Sequence, residues 1–156
     1  MCCDGGLFHS VELRADDHPR QLAAVGLKLR RKKGVDFFLQ PCSAHQKDQG
    51  VCSCRIYGER PARCRAFHCR QLGIVEAGDI SETDALEKIR KARSQVARVN
   101  SLIDRLGGAN PNRSLAHRAA YALSMPLDSA RSPLHEELES AMLELESFLA
   151  QEFRTA

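Results

Sequence analysis

Apolar positions divide the chain into two kinds of text. In the second half Ile89, Ala92, Val96, Val99, Ile103 and Leu106 recur at alternating spacings of three and four, which places them on one face of a helix. Ser81-Glu82-Thr83-Asp84 supplies a capping residue and early acids for its start, and Gly107-Gly108 its stop. A shorter helix is predicted from Arg113 to Ser124, between Pro111 and Pro126. A third opens at Ser132-Pro133 and carries Leu134, Leu138, Met142, Leu145, Leu149 and Phe153. The C-terminal half therefore reads as a helical hairpin or small bundle.

The first half is less regular. Residues 7–13 suit a short extended segment. Asp16-Asp17 ahead of Pro19 suits a helix start, with carboxylates at the positive end of the dipole. Leu22, Val25 and Leu29 then share a face, Lys28 to Lys33 give a basic last turn, and Gly34 a stop. These features predict a helix over about residues 17–33, with a brief strand from Val35 to Gln40 after it. From Pro41 to Cys69 there is no usable periodicity, while Gly50, Gly58, Pro61 and five cysteines fall there. Something other than a large apolar core must hold that stretch.

Composition sharpens this division. The chain has 156 residues, 43% hydrophobic and 28% charged, enough for a core and too rich in apolar residues for wholesale disorder. All seven cysteines, Cys2, Cys3, Cys42, Cys52, Cys54, Cys64 and Cys69, lie in the first 69 residues. Two domains are expected, a cysteine-cluster module over 1–78 and a helical segment over 79–156. The overall class is α+β, mostly α: a small loop-rich metal-binding module with a C-terminal helical hairpin or bundle. Residues 1–78 carry 13 Lys and Arg against 8 Asp and Glu, and residues 79–156 carry 10 against 12. So mild an imbalance does not require nucleic acid, and the run Lys28 to Lys33 is first explained as a helix C-terminus complementing its dipole. With 5% aromatics and no Trp, stacking platforms for single-stranded bases are not expected.

The N-terminus has no basic and apolar leader, and no apolar run approaches a membrane span, so a cytoplasmic protein without a membrane partner is the expectation. In a reducing compartment clustered thiols more often bind metal or do redox chemistry than form a disulfide framework. Zinc takes four tetrahedral ligands, which Cys54, Cys64 and Cys69 with Cys42 or Cys3 would supply; the same thiolates could hold an iron–sulfur cluster. Binding structural zinc is itself folding free energy, on the order of 10 kcal/mol in zinc-finger peptides. Adjacent cysteines tend to point apart, so at most one of Cys2 and Cys3 is expected on a given metal. His9, His45 and His68 are minor alternatives as ligands. Arg60 and Arg65 could either bind loop carbonyls or offset thiolate charge. Asp16-Asp17 is read as capping rather than as a catalytic pair. No phosphate loop, dinucleotide fingerprint or Ser/His/Asp nucleophile elbow is present, nor an open hydrolytic zinc motif.

The segment Cys54-Arg55-Ile56-Tyr57-Gly58-Glu59-Arg60-Pro61-Ala62-Arg63-Cys64-Arg65-Ala66-Phe67-His68-Cys69 resembles the YkgJ-like cysteine-cluster family, described as zinc- or iron-chelating domains. Cys54, Ile56, Tyr57, Arg60, Pro61, Cys64, Arg65, Phe67 and Cys69 match its pattern position by position, Cys2-Cys3 resembles the end of its first cysteine block, and Pro41-Cys42 its middle cysteine. The resemblance covers roughly residues 2–75. The family's Cys-x2-Cys ahead of the double cysteine has no counterpart here, and Cys52 has none in the family. The resemblance implies Cys2, Cys3, Cys42, Cys54, Cys64 and Cys69 as metal ligands, with zinc or iron as cofactor, an iron–sulfur cluster included. It also implies one further reading: a similar domain in flagellin lysine methylases suggests an iron–sulfur accessory subunit of a methyltransferase-type enzyme. The C-terminal helices could meet a protein partner. A separate alternative, from the charges and not from the resemblance, is a basic nucleic-acid-binding adaptor using Lys28 to Lys33 with the arginines around Cys64.

Overall fold

In the computed structural model, residues 1–107, 110–126 and 132–154 are described. The class is α+β and mostly α, as the periodicities predict. The chain forms two compact units: Met1–Phe67 with Pro111–Ser114, and His68–Asn110 with Leu115–Ala156. The division thus falls after Phe67, earlier than the boundary expected at residue 78.

The first unit holds β1 (Ser10–Glu12), α1 (Pro19–Ala24), β2 (Leu29–Lys32), β3 (Val35–Leu39), β4 (His45–Asp48), β5 (Val51–Cys54) and α2 (Ala62–Ala66). The predicted helix over 17–33 is corrected. It stops at Ala24, because Gly26 takes φ +92° and the chain turns, and Leu29 to Lys32 pair antiparallel with β3. Lys33 and Gly34 both have positive φ, the two-residue turn of a tight hairpin, so Gly34 closes a strand pair instead of ending a helix. The spacing of Leu22, Val25 and Leu29 fits a helical face, but only Leu22 is used that way; Leu29 reaches the core from a strand opposite Phe38.

Three antiparallel strands run in the order β1-β3-β2, and a separate hairpin joins β4 to β5 through Gln49-Gly50. The aperiodic stretch after Pro41 is therefore partly regular. Its strands went unread because they expose polar residues on both faces, His45 to Asp48 and Val51 to Cys54 showing no alternation with a core. Leu22, Leu27, Phe38, Ala44 and Ile56 form a small apolar cluster, joined at its edge by Cys42, Cys54 and Cys64.

The second unit holds α3 (Arg70–Glu76), α4 (Glu82–Arg105), α5 (Leu115–Ser124) and α6 (Ser132–Glu152). At the start of α4 the Ser81 hydroxyl accepts the Asp84 N–H at 3.1 Å while the Asp84 carboxylate accepts the Ser81 N–H at 3.3 Å, the reciprocal box that the sequence predicts. Gly107, at φ +104°, follows its last turn; Gly108 of the expected stop lies outside the described residues. Ala92, Val99, Leu102 and Ile103 of α4 are buried, as are Leu138, Ala141, Leu145 and Leu149 of α6, and the two helices pack together with α5. Among the described residues no helix is long and apolar enough to cross a membrane.

Candidate metal centre

Backbone contacts tie Cys3, Cys42 and Cys54 of the first unit together, and Cys64 packs against the same apolar cluster as Cys42 and Cys54. Cys3 sits in an N-terminal turn closed by the Leu7 N–H on the Met1 carbonyl at 3.1 Å, and its own carbonyl accepts the Cys42 N–H at 2.8 Å. Gly5 makes this turn possible. It takes φ +83°, and a Cβ there would stand 3.0 Å from the Ser114 Cα, so a larger residue is excluded by both conformation and space.

Cys42 opens a turn in which the His45 N–H donates to its carbonyl at 3.0 Å. The Ala44 and His45 N–H groups oppose, without overcoming, the upward push of burial on this thiol. Ser43 fixes the turn from the other side: its hydroxyl donates to the Gly26 carbonyl at 3.2 Å and accepts the Lys28 N–H at 3.0 Å. Cys54 comes in on β5, directly opposite His45 in the hairpin register, and Arg55 N–H donates to the Ala44 carbonyl at 2.9 Å. The two thiols are therefore tied through a single pair of neighbouring residues, Ala44 and His45.

Cys64 lies on α2. Its helix is too short to hold itself, with no side-chain cap from its own N-terminal residue. Asp17 provides the missing acceptor from 45 residues away, taking the Ala62 N–H at 2.8 Å on one oxygen and the Arg14 N–H at 2.8 Å on the other. The acid read as the cap of α1 thus caps α2, and α1 starts on Pro19 with no side-chain cap. Arg60 and Arg65 brace the approach. The Arg60 Nε donates to the Tyr57 carbonyl at 2.9 Å with its guanidinium 3.6 Å from the Tyr57 ring centre, and the Arg65 guanidinium donates to the Arg60 carbonyl at 2.6 Å. Phe67 meets Phe8 edge to face, ring centres 5.5 Å apart.

Electrostatics reports the same neighbourhood. Burial pushes the Cys64 thiol up to about 12, with the negative charges of Cys3, Cys42 and Cys54 adding to the shift and Arg60 opposing it. Cys3 is raised by burial first, then by Cys42 and Cys54; Cys42 is raised by burial against the Ala44 and His45 N–H groups. The thiolates of Cys3, Cys42 and Cys64 are thus costly while the other thiols are near, and a bound dication would reverse the sign of that coupling. Among the described residues no group of three or more His, Cys, Asp or Glu side chains meets the geometry of a formed metal site. The four thiols are neighbours, not a closed coordination sphere.

The remaining predicted residues are placed as follows. Cys2 is half-buried and precedes Cys3 in the N-terminal turn. Cys69 begins α3, in the second unit, where its carbonyl accepts the Gly73 N–H. Cys52 is exposed on β5 opposite Lys47. His68 pairs with Glu76 at 3.0 Å, His45 faces Cys54 across the hairpin, and His9 is exposed. Asp17 and Ser43 are the supports that sequence reasoning missed, since their partners are remote along the chain. No family model, curated protein or solved structure significantly matches the chain.

Proposed function

We propose that this chain is a metal-binding protein whose centre is built by Cys3, Cys42, Cys54 and Cys64, with zinc or an iron–sulfur cluster as its occupant and a structural or accessory role. The observation that carries the reading is the convergence of Cys42, Cys54 and Cys64, from separate segments, onto the edge of one small apolar cluster, with Cys3 tied to Cys42 by the Cys42 N–H and Cys54 tied to Cys42 through Ala44 and His45. Four thiolates suit either occupant. The Ala44 and His45 N–H groups beside the Cys42 thiol and the nearby Arg60 guanidinium would offset the negative charge that four such ligands bring. The resemblance of Cys54 to Cys69 to the YkgJ-like pattern supports the same reading.

The test is elemental analysis with an ultraviolet–visible spectrum on protein purified without oxygen, comparing wild type with Cys64→Ala and Cys52→Ala. Zinc near one equivalent without visible absorbance, or iron with acid-labile sulfide and a band near ~400 nm, is expected in wild type and Cys52→Ala and absent from Cys64→Ala. Wild-type protein that holds no metal and takes up neither zinc nor iron in titration overturns the proposal.

A further inference from the structure

The run Lys28 to Lys33 loses its first explanation once it is a strand and a turn, because no helix dipole ends there for it to complement. Residues 28–36 hold five cationic side chains and one carboxylate. Arg31 is engaged by that carboxylate, Asp36, at 3.9 Å. Among the described residues no carboxylate lies within ion-pair distance of Lys28, Arg30, Lys32 or Lys33, all exposed. The register puts Leu29 opposite the buried Phe38, so Arg30 and Lys32 stand together on the other face of the sheet, about 6.6 Å apart along the strand. β2 is an outer strand of its sheet, and nothing lies within 4 Å of where a Cβ of Gly34 would stand at the tip.

Lysine on an outer strand also protects against edge-to-edge pairing. The molecule carries its own comparison for that explanation. The β4–β5 hairpin has strands of the same length as β2, an equivalent Gln49-Gly50 turn with positive φ at both positions, and free edges on both sides. It manages with Lys47 beside Asp48. Edge protection therefore does not call for five cations in six residues, and the excess on β2 needs a ligand.

From this we infer that the β2–β3 hairpin binds the phosphate backbone of a nucleic acid, without base readout, through Lys28, Arg30, Lys32 and Lys33. A two-stranded ribbon fits a nucleic-acid groove, and closely spaced cations on an extended strand suit a regularly charged polyanion. An anionic membrane suits the tip less, because Lys32-Lys33-Gly34-Val35 offers a single short apolar side chain for insertion.

The experiment is fluorescence anisotropy of the full chain with labelled single-stranded RNA and duplex DNA across a salt series starting near about 50 mM. Three variants accompany wild type: Arg30→Gln/Lys32→Gln/Lys33→Gln; Arg90→Gln/Arg93→Gln/Arg105→Gln, which removes the same charge from exposed positions of α4; and Lys33→Asn. The hairpin triple variant is expected to weaken binding at least about tenfold and to flatten the logarithmic salt slope by about two to three. The α4 variant is expected to bind nearly as wild type. Lys33→Asn suits the turn better than Lys, so it should keep or raise the unfolding midpoint while flattening the slope by about one. Four results overturn the inference: no binding of wild type at low salt, equal losses in the two triple variants, undiminished binding by Lys33→Asn, or binding to phosphatidylserine vesicles with nucleic acid left unbound. The readout is independent of metal content, so it stands or fails apart from the metal centre.

Discussion

The two units of this chain solve the same problem with opposite means. The helical unit buries long side chains on regular stripes, with Val99, Ile103, Leu138, Leu145, Leu149 and Phe153 at or below 2% exposure. The cysteine-bearing unit gathers five buried residues, two of them Ala44 and Ile56 from the loop-rich stretch, and then relies on side chains that reach for backbone: Asp17 to Ala62, Ser43 to Gly26 and Lys28, Arg60 to Tyr57, Arg65 to Arg60. Apolar burial stabilises in proportion to area and needs no particular partner, whereas each of those ties needs one acceptor in one place. The first kind of stability is distributed and the second is local. Substitutions should therefore damage the two units differently.

The largest effect is expected from emptying the helical core. Leu145 is fully buried on α6, and Leu145→Ala should destabilise the helical unit by about 2–5 kcal/mol, from the lost transfer free energy and the cavity left behind. Urea unfolding followed by far-ultraviolet circular dichroism measures this directly. Metal content should stay at the wild-type level under native conditions. Loss of metal in Leu145→Ala would break the comparison, since it would make the centre depend on the helical core.

A smaller and more confined effect is expected from Asp17→Ala. It removes the acceptor for both Ala62 and Arg14 N–H, at a cost of about 1–2 kcal/mol, the size of a lost cap. Hydrogen exchange should speed up at those two amides and across α2, with the helices α4 and α6 unaffected. Because Cys64 is carried by α2, zinc affinity should fall with it. Uniform acceleration across both units would mean that the tie supports global stability, and the contrast drawn above would fail.

Legibility in the sequence follows the same contrast. α4 is readable from Ser81 to Leu106 because a capping box and a three-four spacing are both local, and α6 is readable for the same reason. β3 is readable as a short strand. The stretch 17–33 misleads because Leu22, Val25 and Leu29 fit a helical face by coincidence, while the decisive residue, Gly26, acts by its backbone angle and by the Arg55 guanidinium that occupies the space beside it. Of the thiols singled out by spacing, Cys42, Cys54 and Cys64 pack on one apolar cluster, and Cys3 is held to Cys42 by a backbone hydrogen bond. What selects those four is pairing between strands and caps remote in sequence, which no window of neighbouring residues contains.

The smallest effect expected is a pH dependence in the helical unit. Glu152, at the end of α6, accepts from Lys88 of α4 at 2.7 Å, and Gln71 of α3 donates to its carbonyl at 2.6 Å and its carboxylate at 3.2 Å. The Lys88 hydrogen bond holds the Glu152 carboxyl below its ordinary value of 4.5, against a raising effect of burial, with the Lys88 charge and Gln71 adding to the lowering. A carboxylate whose pKa is depressed on folding contributes stability that is fully present above its unfolded value and lost as pH falls through the folded one. The thermal midpoint should therefore hold steady from neutral pH down to about 5 and decline below about 4.5. Glu152→Gln should start lower at pH 7 and decline less steeply through that window, as should Lys88→Met. A wild-type and Glu152→Gln pair with parallel profiles would show that the Lys88–Glu152 pair adds nothing to this junction of three helices, which would then rest on Gln71 and apolar packing, the distributed kind of stability.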